Sequence, residues 1–324
     1  MSLALDNTSL VTIFGGSGFV GRHVVRALAK TGARMRVAVR RPDLAGHLQP
    51  LGGVGQIHAV QANLRYADSI EKAVAGADAV INLVGLLAES GKQRFDSIHV
   101  EGAKAIAEAA TEANARAMVH MSAIGADEGS PSRYARTKAA GEQAVLQAFP
   151  NAVILRASVI FGPEDDFINR FGSMAQIAPV LPLVGGGRTR FQPVFVGDVA
   201  AAVVASLRGK ANAGGIYELG GPEVFSFKQI LEIVLRHAKR KRALVSLPFW
   251  LAGLQARFLQ LLPSPPLTVD QVRLLKSDSI VSQDAIADAR TIETLGIKPV
   301  AMEAVIPSYL ERFRPKGEFS TNFV

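Results

Sequence analysis

Two spacings in this chain could do chemistry. The first is Gly15-Gly16-Ser17-Gly18-Phe19-Val20-Gly21, with glycines at 15, 18 and 21 between the apolar run Leu10–Phe14 and a helix-like stretch. Gly15 permits a tight turn, Gly18 lets backbone N–H groups approach a pyrophosphate, and Gly21 lets the helix pack on the strand. The helix N-terminus then favours the anion. The second is Tyr134 with Lys138, a phenol and an ammonium one helical turn apart on the same side. A phenol titrating near 10 is a poor acid–base at neutrality, and the neighbouring ammonium, with a cationic cofactor ring, would lower it. Lys138 could also hold ribose hydroxyls. Ser122, at the end of another apolar run, could orient a substrate carbonyl, with Ser130 and Ser132 as competitors.

The residues after the second apolar run select the nucleotide. A site for NAD usually places Asp or Glu there, about 20 residues after the glycines, against the ribose 2′-hydroxyl. This chain reads Val37-Ala38-Val39-Arg40-Arg41-Pro42-Asp43. A guanidinium fork suits a phosphate dianion, so Arg40, helped by Arg41, is expected to hold the 2′-phosphate of NADP(H). Asp43 lies too far past the run to be the first choice for ribose. Asn63 and Leu64 follow the third run, where adenine is often contacted. Asn82, Val84 and Gly85 follow the fourth and could pass close to the nicotinamide ribose.

Positioning these groups requires alternating strands and helices. Val-, Ile- and Leu-rich runs at Leu10–Phe14, Met35–Val39, Gln56–Val60, Ala79–Leu83, Ala117–Met121 and Ala152–Leu155 read as strands covered on both faces. Helical patterns near 19–31, 67–75, 94–114, 133–148 and 196–208 lie among and after them. The expected fold is α/β, a Rossmann-type doubly wound parallel sheet with a smaller, mostly helical C-terminal lobe. The expected domains are 1–160 and 161–324, with about 190–220 returning to the first. Ser226 with Gln229 and Thr268 with Gln271 fit capping boxes, and Pro263, Pro265 and Pro266 separate the two helices they open.

The chain has 324 residues and a formal charge of +8. It has no cysteine, which excludes disulfides and iron–sulfur ligation, and its six histidines show no metal-ligand spacing, so no metal is expected. No leader and no transmembrane run is recognised, so the chain reads as cytoplasmic or as a matured form that lost its leader. Part of the charge sits in Arg236–Arg242, RHAKRKR, just before an apolar stretch, Leu247–Leu262, that holds the only tryptophan and is too short to span a bilayer. That stretch could lie in an anionic membrane interface or against a membrane-bound partner, or close a substrate crevice. Nothing interleaves aromatics with the cations, so nucleic acid is not an expected partner.

Together these motifs make the chain resemble an extended or atypical short-chain dehydrogenase/reductase from Val11 to about residue 313. The carriers are the Gly15–Gly21 loop, Tyr134 to Lys138 with Gly141-Glu142, Leu155-Arg156-Ala157 leading to Phe161-Gly162-Pro163, Gln192–Val199, and Tyr217–Gly221. More narrowly, Ile13–Arg22, Ser132-Arg133-Tyr134 with Lys138, and Gln192-Pro193-Val194 resemble the NADH:ubiquinone oxidoreductase subunit 9 family, accessory to respiratory complex I, and its bacterial homologues. The resemblance implies a tightly held NADPH, a structural or assembly role beside complex I subunits, and no established catalytic cycle. His99 stands where many reductases of the wider family have an asparagine. Two other readings stand beside this one. One is an active NADP-dependent oxidoreductase, epimerase or dehydratase using Ser122, Tyr134 and Lys138 on a small carbonyl or hydroxyl substrate. The other is a module that senses the NADPH/NADP⁺ ratio.

Overall fold

A computed structural model describes residues 3–260, 262 and 265–315. Leu261 and Pro263, which fall in the apolar stretch and the proline run read from the sequence, lie outside the described residues. Strands are β1 (Leu10–Phe14), β2 (Arg34–Val39), β3 (Ile57–Gln61), β4 (Ala79–Asn82), β5 (Ala117–Ala123), β6 (Val153–Ala157), β7 (Ile160–Phe161), β8 (Val180–Val184), β9 (Arg190–Phe191), β10 (Val194–Phe195), β11 (Ile216–Leu219), β12 (Phe225–Ser226) and β13 (Ala243–Leu247). The helices that matter are α1 (Phe19–Ala29), α2 (Ala67–Val74), α3 (Gly102–Glu112), α4 (Arg133–Ala148), α5 (Phe167–Ile177), α6 (Val196–Leu207), α7 (Phe227–His237), α8 (Phe249–Leu259), α9 (Val269–Leu274) and α10 (Gln283–Ala287).

The chain divides into two units. The first takes in the described residues up to Ala157, then Gly197–Leu219 and Ser282–Lys298. Its seven-stranded sheet has the order β11-β6-β5-β4-β1-β2-β3, and every pairing is parallel. This is the expected doubly wound Rossmann architecture. Both faces are covered, which is why β4 is buried throughout and β1 from Val11 onward. The one polar side chain inside β1, Thr12, is buried and donates to the Ala73 carbonyl at 2.8 Å. Helix α1 buries Gly21, Val24, Val25 and Leu28, one stripe at helical spacing. On one side of the sheet Ile106, Ala107 and Ala110 of α3 join Val145 of α4 and Phe149 over Val80, Met118 and Ile154, and the alanines let the helices approach closely. The order reverses between β1 and β4. Loops leaving the carboxyl ends of these two strands therefore diverge and leave a crevice, the usual ligand position in such sheets.

The helix expected over 94–114 is present but not uniform. Asp96–Glu101 forms a π-helical turn that runs directly into α3. Such turns carry one extra residue and redirect side chains at functional sites; this one carries His99.

The second unit takes in 158–196, 220–281 and the described residues from Pro299 onward. Its core gathers Phe161, Ile168, Phe191, Phe227, Leu231, Val234, Ile306, Leu310 and Phe313. Short pairs, β7 with β10, β9 with β12 and β8 with β13, replace a continuous sheet. Both expected capping boxes form, Ser226 with Gln229 on α7 and Thr268 with Gln271 on α9. Buried Asp165 accepts from the Ile168 and Asn169 N–H groups at the start of α5 and from the Tyr309 hydroxyl at 3.0 Å. Burial pushes its carboxyl above the usual range, against those hydrogen bonds.

Candidate functional site

The glycine loop is shaped by contacts that a side chain would prevent. Gly15 has φ +79°, a left-handed conformation that favours glycine. The Gly18 N–H returns to the Gly15 carbonyl at 3.1 Å and closes the turn. A Cβ on Gly21 would lie 2.3 Å from the Gly15 oxygen and 2.5 Å from the Gly16 backbone, so α1 reaches the turn only without one. A Cβ on Gly16 would meet Val37 of β2 at 2.6 Å. Gly18 is the N-cap of α1 and supplies no side-chain cap. The first-turn N–H groups of α1, at Phe19, Val20 and Gly21, have no intrahelical acceptor. Ser17, Phe19 and Val20 are half-buried, and Phe19 sets its ring edge-on to His23 at 5.9 Å. A turn of this shape suits a multiply charged anion.

The loop after β4 lies against that turn. The Leu83 N–H donates to the Phe14 carbonyl at 3.0 Å, and a Cβ on Gly15 would come 3.2 Å from the Val84 nitrogen. Asn82 is buried and faces the protein. Its Oδ1 accepts from the Val84 N–H at 3.1 Å, and its amide meets His120 Nδ1 at 3.1 Å. Asn82 thus holds the loop in place. Gly85 comes next to Lys138, because a Cβ there would stand 3.7 Å from Nζ and 4.0 Å from His99 Nε2.

The Lys138 ammonium is buried and donates to the Met121 carbonyl at 3.0 Å. Burial lowers it from 10.5 to about 8, opposed by the charge of Glu142. Between these values the folded state releases its proton while the unfolded chain keeps it, so stability rises with pH across that window and the cost of the buried charge is full below about 8. Lys138→Met is therefore expected to stabilise the nucleotide-free protein at pH 7. The linkage is worth about 3 kcal/mol, less about 1 kcal/mol for the lost hydrogen bond. Chemical denaturation from pH 7 to 10 would test this; parallel curves for the two proteins would refute it.

Tyr134 is half-buried, with its ring edge-on to His99 at 5.4 Å and to Phe95 at 5.9 Å. Burial pushes its phenol up to about 12. The depression expected from the adjacent ammonium is absent in the protein alone, because loss of solvent outweighs a cation that is aimed at Met121. His99 is neutral, lowered to about 3 by burial and then by the Lys138 charge. Its Nε2 accepts from the Leu86 N–H at 3.0 Å, so Nδ1 carries the proton and donates to Thr137 Oγ1 at 3.0 Å. Thr137 in turn donates to the Tyr134 carbonyl at 3.0 Å. Gly141 makes this fit possible, since a Cβ there would strike the His99 carbonyl oxygen at 2.0 Å.

Ser122 is buried, and its hydroxyl donates to Glu142 Oε1. The same carboxylate takes Arg156 Nε at 3.0 and 3.2 Å and Nη2 at 2.7 Å. Burial works against the Arg156 charge, yet hydrogen bonds and charge from Glu142 outweigh it and raise the guanidinium above its ordinary value. Ser132 caps α4 by accepting from the Ala135 N–H, and Ser130 accepts from the Ser132 N–H at 3.2 Å. No functional role for Glu142, Thr137 or His120 follows from the sequence, although Gly141-Glu142 belongs to the resemblance. Glu142 stands one turn beyond Lys138, which is the signal that could have found it.

At the far end, Arg40 and Arg41 are exposed at the end of β2. Arg41 is held by Asp43, Nε to Oδ1 at 2.9 Å and Nη2 to Oδ2 at 2.6 Å. Asn63 Oδ1 accepts from the Arg65 N–H at 3.2 Å. Leu64 packs on α3, where a Cβ at Gly102 would meet it at 2.9 Å. The structure therefore joins Gly15, Val84, Gly85, Tyr134 and Lys138 closely, and it turns Ser122 and Asn82 into the protein.

The family model "NAD dependent epimerase/dehydratase family" matches residues 11–220. Subunit 9 of the NADH dehydrogenase [ubiquinone] 1 alpha subcomplex from Arabidopsis thaliana is 36% identical over 320 residues, covering 95% of this chain and 79% of the relative. The NADH-ubiquinone oxidoreductase 40 kDa subunit of Neurospora crassa is 30% identical, covering 95% and 80%. In fold, the crystal structure of gox2253 matches with a TM-score of 0.72 at 22% identity, over 95% of this chain and 99% of that one. Over most of its length, then, the chain belongs to the NAD dependent epimerase/dehydratase family, and within it to the relatives of complex I subunit 9.

Proposed function

We propose that the chain is an accessory or assembly subunit of a respiratory complex I that holds NADP(H) as a structural nucleotide. The observation that carries this reading is the contrast between the two ends of the crevice. The glycine cradle is open to a diphosphate, whereas the serine hydroxyl that would polarise a carbonyl is committed to Glu142. The names of the relatives, subunits of NADH dehydrogenase, support the setting. Backbone N–H groups of Ser17 and of Phe19 to Gly21 would take the diphosphate, with Gly15, Gly16 and Gly18 forming the turn. Arg40 would take the 2′-phosphate, with Arg41 joining when it leaves Asp43. Asn63 and Leu64 would border adenine, while Val84, Gly85, Tyr134 and Lys138 would border the nicotinamide ribose. The nucleotide, when bound, supplies a hydride-transfer centre; the residues around it bind and orient it. Retention of Tyr134 beside Lys138 is the feature that favours an active reductase instead.

The expected site of action is the cytoplasmic side of the energy-transducing membrane, with peripheral attachment. No helix among the described residues is long and apolar enough to cross a membrane. Exposed Trp250, Leu254 and Phe258 recur every fourth residue along α8, and exposed Leu262 continues the series beyond it. Such a stripe in a basic lobe suits an anionic membrane interface.

One strain series tests the reading. Deletion is expected to impair complex I assembly, and Tyr134→Phe to restore it fully. In the purified protein NADPH should bind at least about tenfold more tightly than NADH, and Arg40→Ala should remove most of that margin. A phenol essential for assembly, or a preference for NADH, would overturn the proposal.

A further inference from the structure

We propose that the second unit contains a binding site for a phosphate monoester, in the cavity of ≈ 370 Å³ between the Gly186-Gly187 turn and the start of α7. Three cations line it, Arg188, Arg190 and Lys228, and none of its lining residues is acidic. Arg188 is exposed and has no ion pair among the described residues. Arg190 is held from behind in an ion pair: Asp278 takes its backbone N–H at 2.7 Å, its Nε at 2.8 Å and its Nη2 at 2.7 Å. That leaves Nη1 for a ligand. Among the described residues the Lys228 ammonium pairs with Glu232 at 3.7 Å, too far for a good hydrogen bond.

The uncharged polar groups also offer donors. Ser226 Oγ accepts from the Gln229 N–H at 3.2 Å, so its own proton remains to be given. Gln229 Oε1 accepts from the Ser226 N–H at 2.7 Å, so its amide hydrogens remain. A cavity that presents these donors, Arg188 unpaired among the described residues, and two further cations whose carboxylate partners lie outside its lining selects a ligand with several acceptor oxygens and more than one negative charge. A phosphate monoester dianion is that ligand. A nucleobase is disfavoured, because no aromatic side chain lines the cavity to stack on it.

The setting indicates what the phosphate is attached to. A Cβ on Gly186 would lie 3.6 Å from Ser246 Oγ in β13, and one on Gly185 would strike the ring of Phe249, the first residue of α8. The glycine turn that walls the cavity therefore packs, through Gly185, on the first residue of the helix that carries the exposed apolar stripe. A lipid headgroup would place its phosphate among the cations and its acyl chains toward that stripe. A small soluble phosphate ester offers the same group without the chains. The lipid source rests on the membrane reading above; the phosphate site does not.

The full chain loaded with NADPH is the material for the test. Its flotation with phosphatidylcholine vesicles containing phosphatidic acid, a monoester, would be compared with vesicles of equal charge containing phosphatidylglycerol, a diester. Calorimetric titration with glycerol 3-phosphate supplies the soluble arm. We expect phosphatidic acid to be preferred about tenfold, and Arg188→Gln with Lys228→Gln to abolish the preference while NADPH fluorescence is unchanged. Binding of glycerol 3-phosphate that depends on Arg188, without any vesicle preference, would also support the site and assign it a soluble ligand. Trp250→Ser with Phe258→Ser should weaken flotation on every vesicle and leave glycerol 3-phosphate binding intact. If flotation is indifferent to the stripe, the membrane reading fails by itself. If neither phosphate monoester binds in a manner that depends on Arg188 and Lys228, the site is refuted.

Discussion

Gly21→Ala is expected to lower nucleotide affinity by about a hundredfold and to destabilise the protein by about 2–3 kcal/mol. The added methyl carbon would sit 2.3 Å from the Gly15 carbonyl oxygen and 2.5 Å from two Gly16 backbone atoms. No rotamer change relieves a clash with backbone. Helix α1 must move outward, and its buried stripe of Val24, Val25 and Leu28 moves with it. Its first-turn N–H groups, the proposed anchor of the diphosphate, would then no longer be aimed by the turn. Distances in such charge-assisted contacts matter steeply, so a shift of about 1 Å suffices for the loss.

Gly18→Ala is the informative control. A Cβ there meets only the Gly15 oxygen, at 3.4 Å, an ordinary contact, and Gly18 already has φ −75°. Stability should stay within about 0.5 kcal/mol of the parent, while the methyl on this exposed N-cap crowds the bound diphosphate and costs about tenfold in affinity. Thermal melts with and without NADPH would separate the two effects. A Gly21→Ala protein with parental melting temperature and affinity would mean that the loop does not anchor the nucleotide.

How far the sequence reveals this arrangement depends on how local each cause is. The run Leu10–Phe14 and the helix Arg133–Ala148 are read with their observed limits, because apolar runs and periodicity are contained in the segments themselves. The capping boxes at Ser226 and Thr268 are legible for the same reason. The π-turn at Asp96–Glu101 is not, since the contacts that accompany it, His99 with Thr137 and the His99 carbonyl against Gly141, join residues about forty apart in sequence. The two-residue strands of the second unit carry no periodicity to detect. Ser122 looks like a substrate ligand from its place at the end of β5; only packing reveals that Glu142, twenty residues on, accepts its hydrogen bond. Tyr134 is instructive in the same way. Its spacing from Lys138 argues for a lowered phenol, and burial, invisible in a spacing, raises it to about 12.

The Glu142 cluster gives the second large effect. Its carboxylate is buried and accepts from both Arg156 and Ser122. Glu142→Ala leaves a mostly covered guanidinium without its hydrogen-bonded carboxylate, with only the weaker charges of Glu218 and Asp127 acting on it, and breaking a largely buried pair in this way costs about 3 kcal/mol. Replacing both ions together, Glu142→Leu with Arg156→Met, should cost far less than the sum of the single changes, because the desolvation of both charges disappears with them. Ser122→Ala removes one hydrogen bond to a carboxylate that keeps its arginine, so about 1–2 kcal/mol is expected. None of these changes touches the glycine cradle, and NADPH affinity in the folded variants should stay within about threefold of the parent. A catalytic serine would behave in the opposite way, with stability preserved and a reductase activity lost. Denaturation of these variants, with the single changes Glu142→Leu and Arg156→Met, alongside NADPH titration therefore decides the role of this serine. A Ser122→Ala protein as stable as the parent, or additive losses in the double variant, would show that the cluster does not hold the site together.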